Sequence, residues 1–262
     1  MRPLWLFVLA VLLALTVPQA ASAQGRGRGA GPAVSARSAA PQDLTGYWVA
    51  VVTEHWHLRM MVPPKGDFSM LPLNAEARKV ANSWDPAKDA AASDQCKSFG
   101  AAAIMRVPGR LNIHWADDNT LQVDTDSGTQ TRLFRFGAAA PGSDPPQLQG
   151  VSVAVWDGLG RGGGPPVGGA GIATGTGHLK VTTTRMRAGY LRKNGVPYSE
   201  NTTLEEYFDV FSEPNGDRWL VVTSIITDPQ YLTQPYVTTN HFKKIPDRSG
   251  WDPTPCRADE PR

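Results

Sequence analysis

Over residues 104–243 one unit recurs: a short run in which large apolar side chains alternate with polar ones, closed by residues that turn the backbone. Leu111, Ile113 and Trp115 alternate with Asn112 and His114, and Asp117-Asp118-Asn119 turns the chain. Leu121, Val123 and Thr125 follow, then Asp126-Ser127-Gly128 turns it again before residues 129–136. Further runs of this kind lie at 151–156, 178–187, 202–211, 219–226 and 236–243, with Pro214-Asn215-Gly216-Asp217 as a hairpin turn between two of them. Successive side chains of a strand point to opposite faces, so a period of two marks a half-buried strand. Ahead of them, residues 46–61 (GYWVAVVTEHWHLRMM) hold neither Gly nor Pro after Gly46 and read as one long strand that Val62-Pro63-Pro64 ends. Consecutive hairpins with few helices predict an all-β fold: an antiparallel meander closed as a lipocalin- or calycin-like barrel of about nine strands, with a β-sandwich as the alternative. One helix is expected over 74–83, with Asn74 as N-cap, Glu76 in its first turn and Asp85-Pro86 closing it. A second short helix is expected around Cys96.

Arg2 followed by the apolar run 4–17 and the Ala21-Ser22-Ala23 cleavage site reads as a Sec-type signal peptide over 1–23. The apolar run is shorter than the ~20 residues a membrane span needs, so no transmembrane anchor is expected after cleavage. The expected location is therefore periplasmic or secreted. Residues 24–41 contain little that could offset the entropy of folding and read as a flexible linker. A single barrel domain over 42–262 follows. A net charge of +2, from 26 Lys+Arg against 24 Asp+Glu, excludes a nucleic-acid footprint. In an oxidising compartment the only two cysteines, Cys96 and Cys256, read as one disulfide. Residues 158–163 match G-x-G-x-x-G, but Pro165-Pro166 follow where a phosphate-binding helix should start. The stretch 158–177 is a glycine-rich loop on this reading, and no cofactor is expected.

Within 46–61 the alternation sorts Trp48, Ala50, Val52, Glu54, Trp56, Leu58 and Met60 to one face, and Val49, Val51, Thr53, His55, His57 and Arg59 to the other. A carboxylate on so apolar a stripe must be paired or protonated. Arg132 and Arg185, each on an alternating run, are the candidate partners. Glu54 then reads first as half of an interior ion pair, second as a polar anchor in a ligand cavity, and third as a general acid or base. His55 and His57 share the spacing of a metal pair, with His114, His178 and His241 as candidates for the third ligand. Their polar company favours a surface face. Glu205 and Glu206 fall on opposite faces of a strand and so form no acid–base pair. No G-x-S-x-G, H-E-x-x-H or C-x-x-C occurs.

Several strings of the C-terminal half lie in order. They are Tyr190-Leu191-Arg192, then Gly195-Val196-Pro197-Tyr198-Ser199-Glu200, Glu206-Tyr207-Phe208, Asp228-Pro229 and Thr233-Gln234-Pro235-Tyr236. They resemble a group of uncharacterised secreted bacterial proteins with a G-x-P-x-S-E turn, an E-x-F strand and a D-P…T-x-P-aromatic turn. Gly46-x-Trp48 is similar to the Gly-x-Trp start of lipocalin-like barrels. The group carries no assigned activity, so the resemblance implies an exported protein and assigns no catalytic residue. The function expected is binding of a hydrophobic or amphipathic small molecule, with Trp48, Glu54, Trp56, Met60, Arg132 and Arg185 as the ligand-binding set. An isomerase or hydrolase using Glu54 and a cavity-less interaction module are the alternatives.

Overall fold

A computed structural model describes residues 34–137, 145–158 and 177–258. The leader read over 1–23, the linker up to residue 33, and the interior of the glycine-rich stretch 158–177 lie outside the described residues. In chain order the elements are β1 (Gly46–Val51), α1 (Trp56–Arg59), α2 (Ala75–Asn82), α3 (Pro86–Ala91), α4 (Ala101–Ile104), β2 (Arg110–Asp117), β3 (Thr120–Thr125), β4 (Gln130–Phe136), β5 (Val151–Asp157), β6 (His178–Thr184), β7 (Gly189–Arg192), β8 (Val196–Tyr198), β9 (Thr203–Ser212), β10 (Arg218–Thr227) and β11 (Tyr236–Ile245).

Nine strands close into a barrel in the order β1-β11-β10-β9-β6-β5-β4-β3-β2, and β7 and β8 form a separate hairpin. The all-β barrel expected from the alternation is the fold, and the sandwich is not. The meander is antiparallel except at one seam, where β4 and β5 run parallel, pairing Phe134 with Ser152 and Phe136 with Ala154. A parallel pair cannot be joined by a tight turn, and the long connection over 137–150 serves that crossover. Among the described residues no helix is long and apolar enough to cross a membrane.

The first strand is shorter than its composition suggests. β1 pairs with β11 from Tyr47–Ile245 to Val51–His241, and with β2 from Gly46–Ile113 to Val49–Arg110. Beyond Val51 it has no ladder partner. His55 then adopts the left-handed conformation, φ 47°, as the N-cap of α1. Residues without a sheet neighbour gain nothing from β-branched and aromatic propensity, so tertiary context overrides it. Alternation therefore fails after Val51. Trp48 is fully buried in the barrel, whereas Trp56 is 63% exposed and Met60 is also exposed. The predicted Trp48/Trp56/Met60 stripe does not form.

Side chains fill the interior. Trp48, Leu111, Ile113, Leu121, Val123, Phe134, Leu179, Phe208, Leu220, Val222 and Phe242 form one continuous cluster. Each large apolar chain buried this way stabilises the fold by about 1.5–3 kcal/mol. Trp48 Nε1–H donates to the Leu44 carbonyl at 2.9 Å, so its polar edge is also satisfied. The interior carries one ion pair, from Arg132 Nη2 to Glu206 Oε2 at 2.6 Å, with a second bond from Nη1 to Oε1 at 3.0 Å. Thr183 Oγ1 accepts a further bond from Arg132 at 3.3 Å and lies 2.8 Å from Ser152 Oγ. Arg132 thus faces inward as its alternation implies, but its partner is Glu206 and not Glu54.

Residues 34–44 cover one end of the barrel. Ala36 N–H donates to Asn119 Oδ1 at 2.9 Å, and its carbonyl accepts from Trp156 Nε1–H at 2.8 Å. Residues 34–41 are therefore docked on the barrel rather than a free linker, because they satisfy the polar edges of that aromatic end. At the other end α2, α4 and the β7–β8 hairpin form a cap on a second apolar cluster that includes Phe68, Leu73, Ala77, Met186, Tyr198 and Leu232. Asn74 caps α2 as predicted, accepting from Ala77 N–H at 2.9 Å. Asp85 does more than follow that helix: it caps α3, with Pro86 in the first turn. The cap is tied down by the buried Asp228 carboxylate. It accepts from Ser199 N–H and Oγ–H at 2.6 and 2.9 Å, Thr202 Oγ1–H at 3.0 Å, and the N–H groups of Gln230 and Tyr231 at 2.8 and 3.3 Å. Ser199 and Asp228 belong to the G-x-P-x-S-E and D-P strings, so those two strings meet here as structure.

Cys96 and Cys256 are disulfide-bonded, with Cα atoms 5.0 Å apart and 160 positions between them in sequence. A closure of that length contributes at most about 5 kcal/mol in the chain-entropy account. Thiol titration of the unreduced, denatured protein should find no free thiol; two free thiols would refute the bond. Glu206→Gln should cost about 3–5 kcal/mol in urea unfolding, because it strands a buried guanidinium, whereas replacing both partners with apolar residues should recover most of that loss.

Candidate functional site

Because β1 stops at Val51, the first half of β11 runs on without a neighbour on that side. The gap opens into a cleft of about 600 Å³. Its walls are Thr53, Glu54 and His55 from the link after β1, Met70 and Pro72 from the segment before α2, Arg106 after α4, and residues 234–239 with His241 from the start of β11. Thr238 Oγ1 and both amide atoms of Asn240 are buried along this half of β11 without a hydrogen-bond partner.

Glu54 lies in this cleft, outside the barrel interior. Its Oε1 accepts from Arg59 Nη1 at 2.9 Å, and its Oε2 from Thr53 Oγ1–H at 2.7 Å. Having donated to Glu54, Thr53 Oγ1 is an acceptor toward His241 Nδ1, 3.1 Å away. His241 Nδ1 is also 3.9 Å from Glu54 Oε2. Partial burial pushes the Glu54 carboxyl up, but the Thr53 hydrogen bond and the charge and hydrogen bond of Arg59 outweigh it, and the net shift is downward. Glu54 is therefore an ionised anchor at neutral pH. α1 is a single turn whose Leu58 and Arg59 are buried, and this holds Arg59 under the cleft while Trp56 faces outward.

The remaining sequence candidates fall apart spatially. Trp48 and Arg132 are core residues. Trp56 and Met60 are exposed on and beside α1. Arg185 comes after the end of β6, at φ 55°, so the alternation through Leu179, Val181 and Thr183 does not reach it and Met186 takes the buried position. His55 is a helix cap and His57 lies within α1, so their two-residue spacing no longer sets both rings on one strand face. Among the described residues no group of three or more His, Cys, Asp or Glu side chains is placed to hold a metal. Of the predicted ligand-binding set only Glu54 lines the cleft.

Thr53, Arg106 and Tyr236 are the residues missed, and His241, a candidate metal ligand by sequence, lies here as a neighbour of Thr53 and Glu54. Their association comes from where β1 ends, which the local pattern does not encode. Glu206 was legible: it sits between Leu204 and Phe208 on an inward stripe as apolar as the one that singled out Glu54. No protein-family model and no curated protein matches this chain.

A carboxylate whose folded value is depressed stabilises the fold above its unfolded value and loses that contribution as pH falls through the folded one. Glu54→Gln should therefore flatten the acid limb of the stability curve below about pH 4.5, and should cost about 1–3 kcal/mol at neutral pH by leaving buried Arg59 without its carboxylate. Urea unfolding of both forms across that pH range measures this.

Proposed function

We propose that this chain is an exported barrel protein that binds an amphipathic small molecule in the cleft beside β11, and not inside the barrel. The observation that carries the reading is the cleft itself. Its volume of about 600 Å³ suits a small-molecule site. Met70, Pro72, Pro235 and Val237 supply apolar wall, and Thr53, Glu54, Thr238 and His241 supply a few polar groups. Trp56, Met60 and Met61, exposed just after His55, extend the apolar character beyond the rim. Methionine side chains adapt to varied apolar ligands. The interior offers no comparable recipe, because its large side chains already fill it.

Export rests on the leader at 1–23, with the disulfide as support. The resemblance to secreted bacterial proteins agrees with this reading, since Gln234, Pro235 and Tyr236 of the shared T-x-P-aromatic string line the cleft. A general acid would need Glu54 protonated near neutral pH. The downward shift of its carboxyl supports an anchoring role instead.

Native mass spectrometry of protein purified from an exporting host should detect a co-purified amphiphile. Val237→Glu places a charge on an exposed cleft wall. It should weaken binding of an alkyl probe about tenfold or more while the melting temperature stays within about 2 °C. Unchanged binding in that variant would sink the cleft reading.

A further inference from the structure

Beside the cleft lies a concentration of positive charge that the fold neutralises only in part. Arg59, Arg106 and Arg192 line one small cavity of about 30 Å³. They are 4%, 9% and 5% exposed. Glu54 offsets one of the three charges through Arg59, and the Asp67 carboxylate acts on Arg192 without an ion-pair contact. Neither Arg106 nor Arg192 forms an ion pair with a carboxylate among the described residues. Among the described residues three guanidinium nitrogens of this cluster are buried with no acceptor: Arg59 Nη2, Arg192 Nε and Arg192 Nη1. The Tyr236 hydroxyl lies against Arg192. Burial, and after it the charge of Arg106, presses the Arg59 guanidinium down; burial does the same to Arg192. Arginine does not deprotonate in proteins, so this charge cannot be shed. Buried donors without acceptors and buried charges without counter-charges are both costly, and native folds rarely keep them without use.

The geometry points to an oxyanion subsite: the carboxylate or phosphate head of an amphipathic ligand held by Arg59, Arg106 and Arg192 beside the Tyr236 hydroxyl. This rests on the cleft reading above for the apolar part of the ligand, but not for the anion. Three guanidinium charges, with Lys193 on the same cavity wall, against the Glu54 and Asp67 carboxylates leave room for an anion of one or two charges. Guanidinium forks match the paired oxygens of carboxylates and phosphates. A water needs roughly 10–15 Å³ of such space, so the cavity admits two or three atoms of that size, the terminal oxygens of such a head. Arg106 lines both the small cavity and the cleft, so the two spaces border the same side chain.

The test uses the full exported chain in chloride buffer, with inorganic phosphate, octanoate, octyl phosphate and uncharged octanol as probes at matched ionic strength. Phosphate alone should raise the melting temperature, by about 5–10 °C at a hundredfold excess over its Kd. Octanoate and octyl phosphate should bind more tightly than octanol by calorimetry. Arg192→Gln should abolish the phosphate effect and weaken octanoate about 10–100-fold, the scale of a lost charge-assisted bond. Arg106→Gln should do the same and also raise the melting temperature of the ligand-free protein, because it removes like-charge repulsion. If Arg192→Gln fails to fold, Arg106→Gln and the wild-type probe series still decide the matter. Phosphate without effect, together with octanol binding as tightly as octanoate, overturns the subsite and leaves the cleft reading standing. Phosphate binding without any octanol binding supports the subsite and overturns the cleft reading. An Arg106→Gln protein that melts lower and binds octanoate unchanged makes the cluster structural and overturns the proposal.

Discussion

This closed barrel of nine strands fills its own interior with Trp48, with phenylalanines and leucines such as Phe134, Phe208, Leu179 and Leu220, and with the Arg132–Glu206 pair. That filling governs the rest of the molecule. With the interior spent on stability, a cleft of about 600 Å³ lies where the wall is incomplete. The Arg132–Glu206 pair belongs to the same constraint: its bidentate bonds and the Thr183 contact let two charges stand among phenylalanines.

The incomplete wall follows from an inequality of lengths. β11 spans Tyr236–Ile245, β1 only Gly46–Val51, and the two match over five pairs ending at Val51–His241. What would have been the rest of β1 folds away as a turn and α1, carrying Glu54 and Arg59 to the mouth of the gap. The cap built around Asp228 supplies the opposite wall through Pro235 and Tyr236. Thr238 and Asn240, on the buried face of this half of β11, keep side-chain polar atoms without a hydrogen-bond partner among the described residues.

Much of the barrel was legible because alternation reports which side of a strand is dry, and each of the nine barrel strands falls on a run with that signature. The helix at α2 was legible through Asn74, and the disulfide through the count of cysteines. What escaped has a common physical origin. Residues 52–61 have strand composition, yet no neighbour to pair with, and no local pattern reveals a missing neighbour. The parallel seam between β4 and β5 depends on the path of a connection and not on either strand's residues. Arg59, Arg106 and Arg192 come from a helical turn, the end of α4's segment and the β7–β8 hairpin, so their meeting exists only once the cap is folded. Alternation alone sets Arg132 inward, and its partner Glu206 is found by reading along the face it shares with Leu204 and Phe208 and not beside its chain neighbour Glu205.

The seam at β1 also sets when the molecule becomes competent. β1 has no partner but β2 and β11, and its pairing of Tyr47 with Ile245 spans almost the whole folded body. Contacts of that span are the costliest in chain entropy and form late. The disulfide ring from Cys96 to Cys256 encloses β2 through β11 and leaves β1 outside it. β1 is thus the one barrel strand that the ring does not enclose, and the segment after it carries Glu54 and Arg59, whereas Arg106 and Arg192 belong to the ring. Completion of the sheet and assembly of the cleft are a single event, and an open seam is also an empty site.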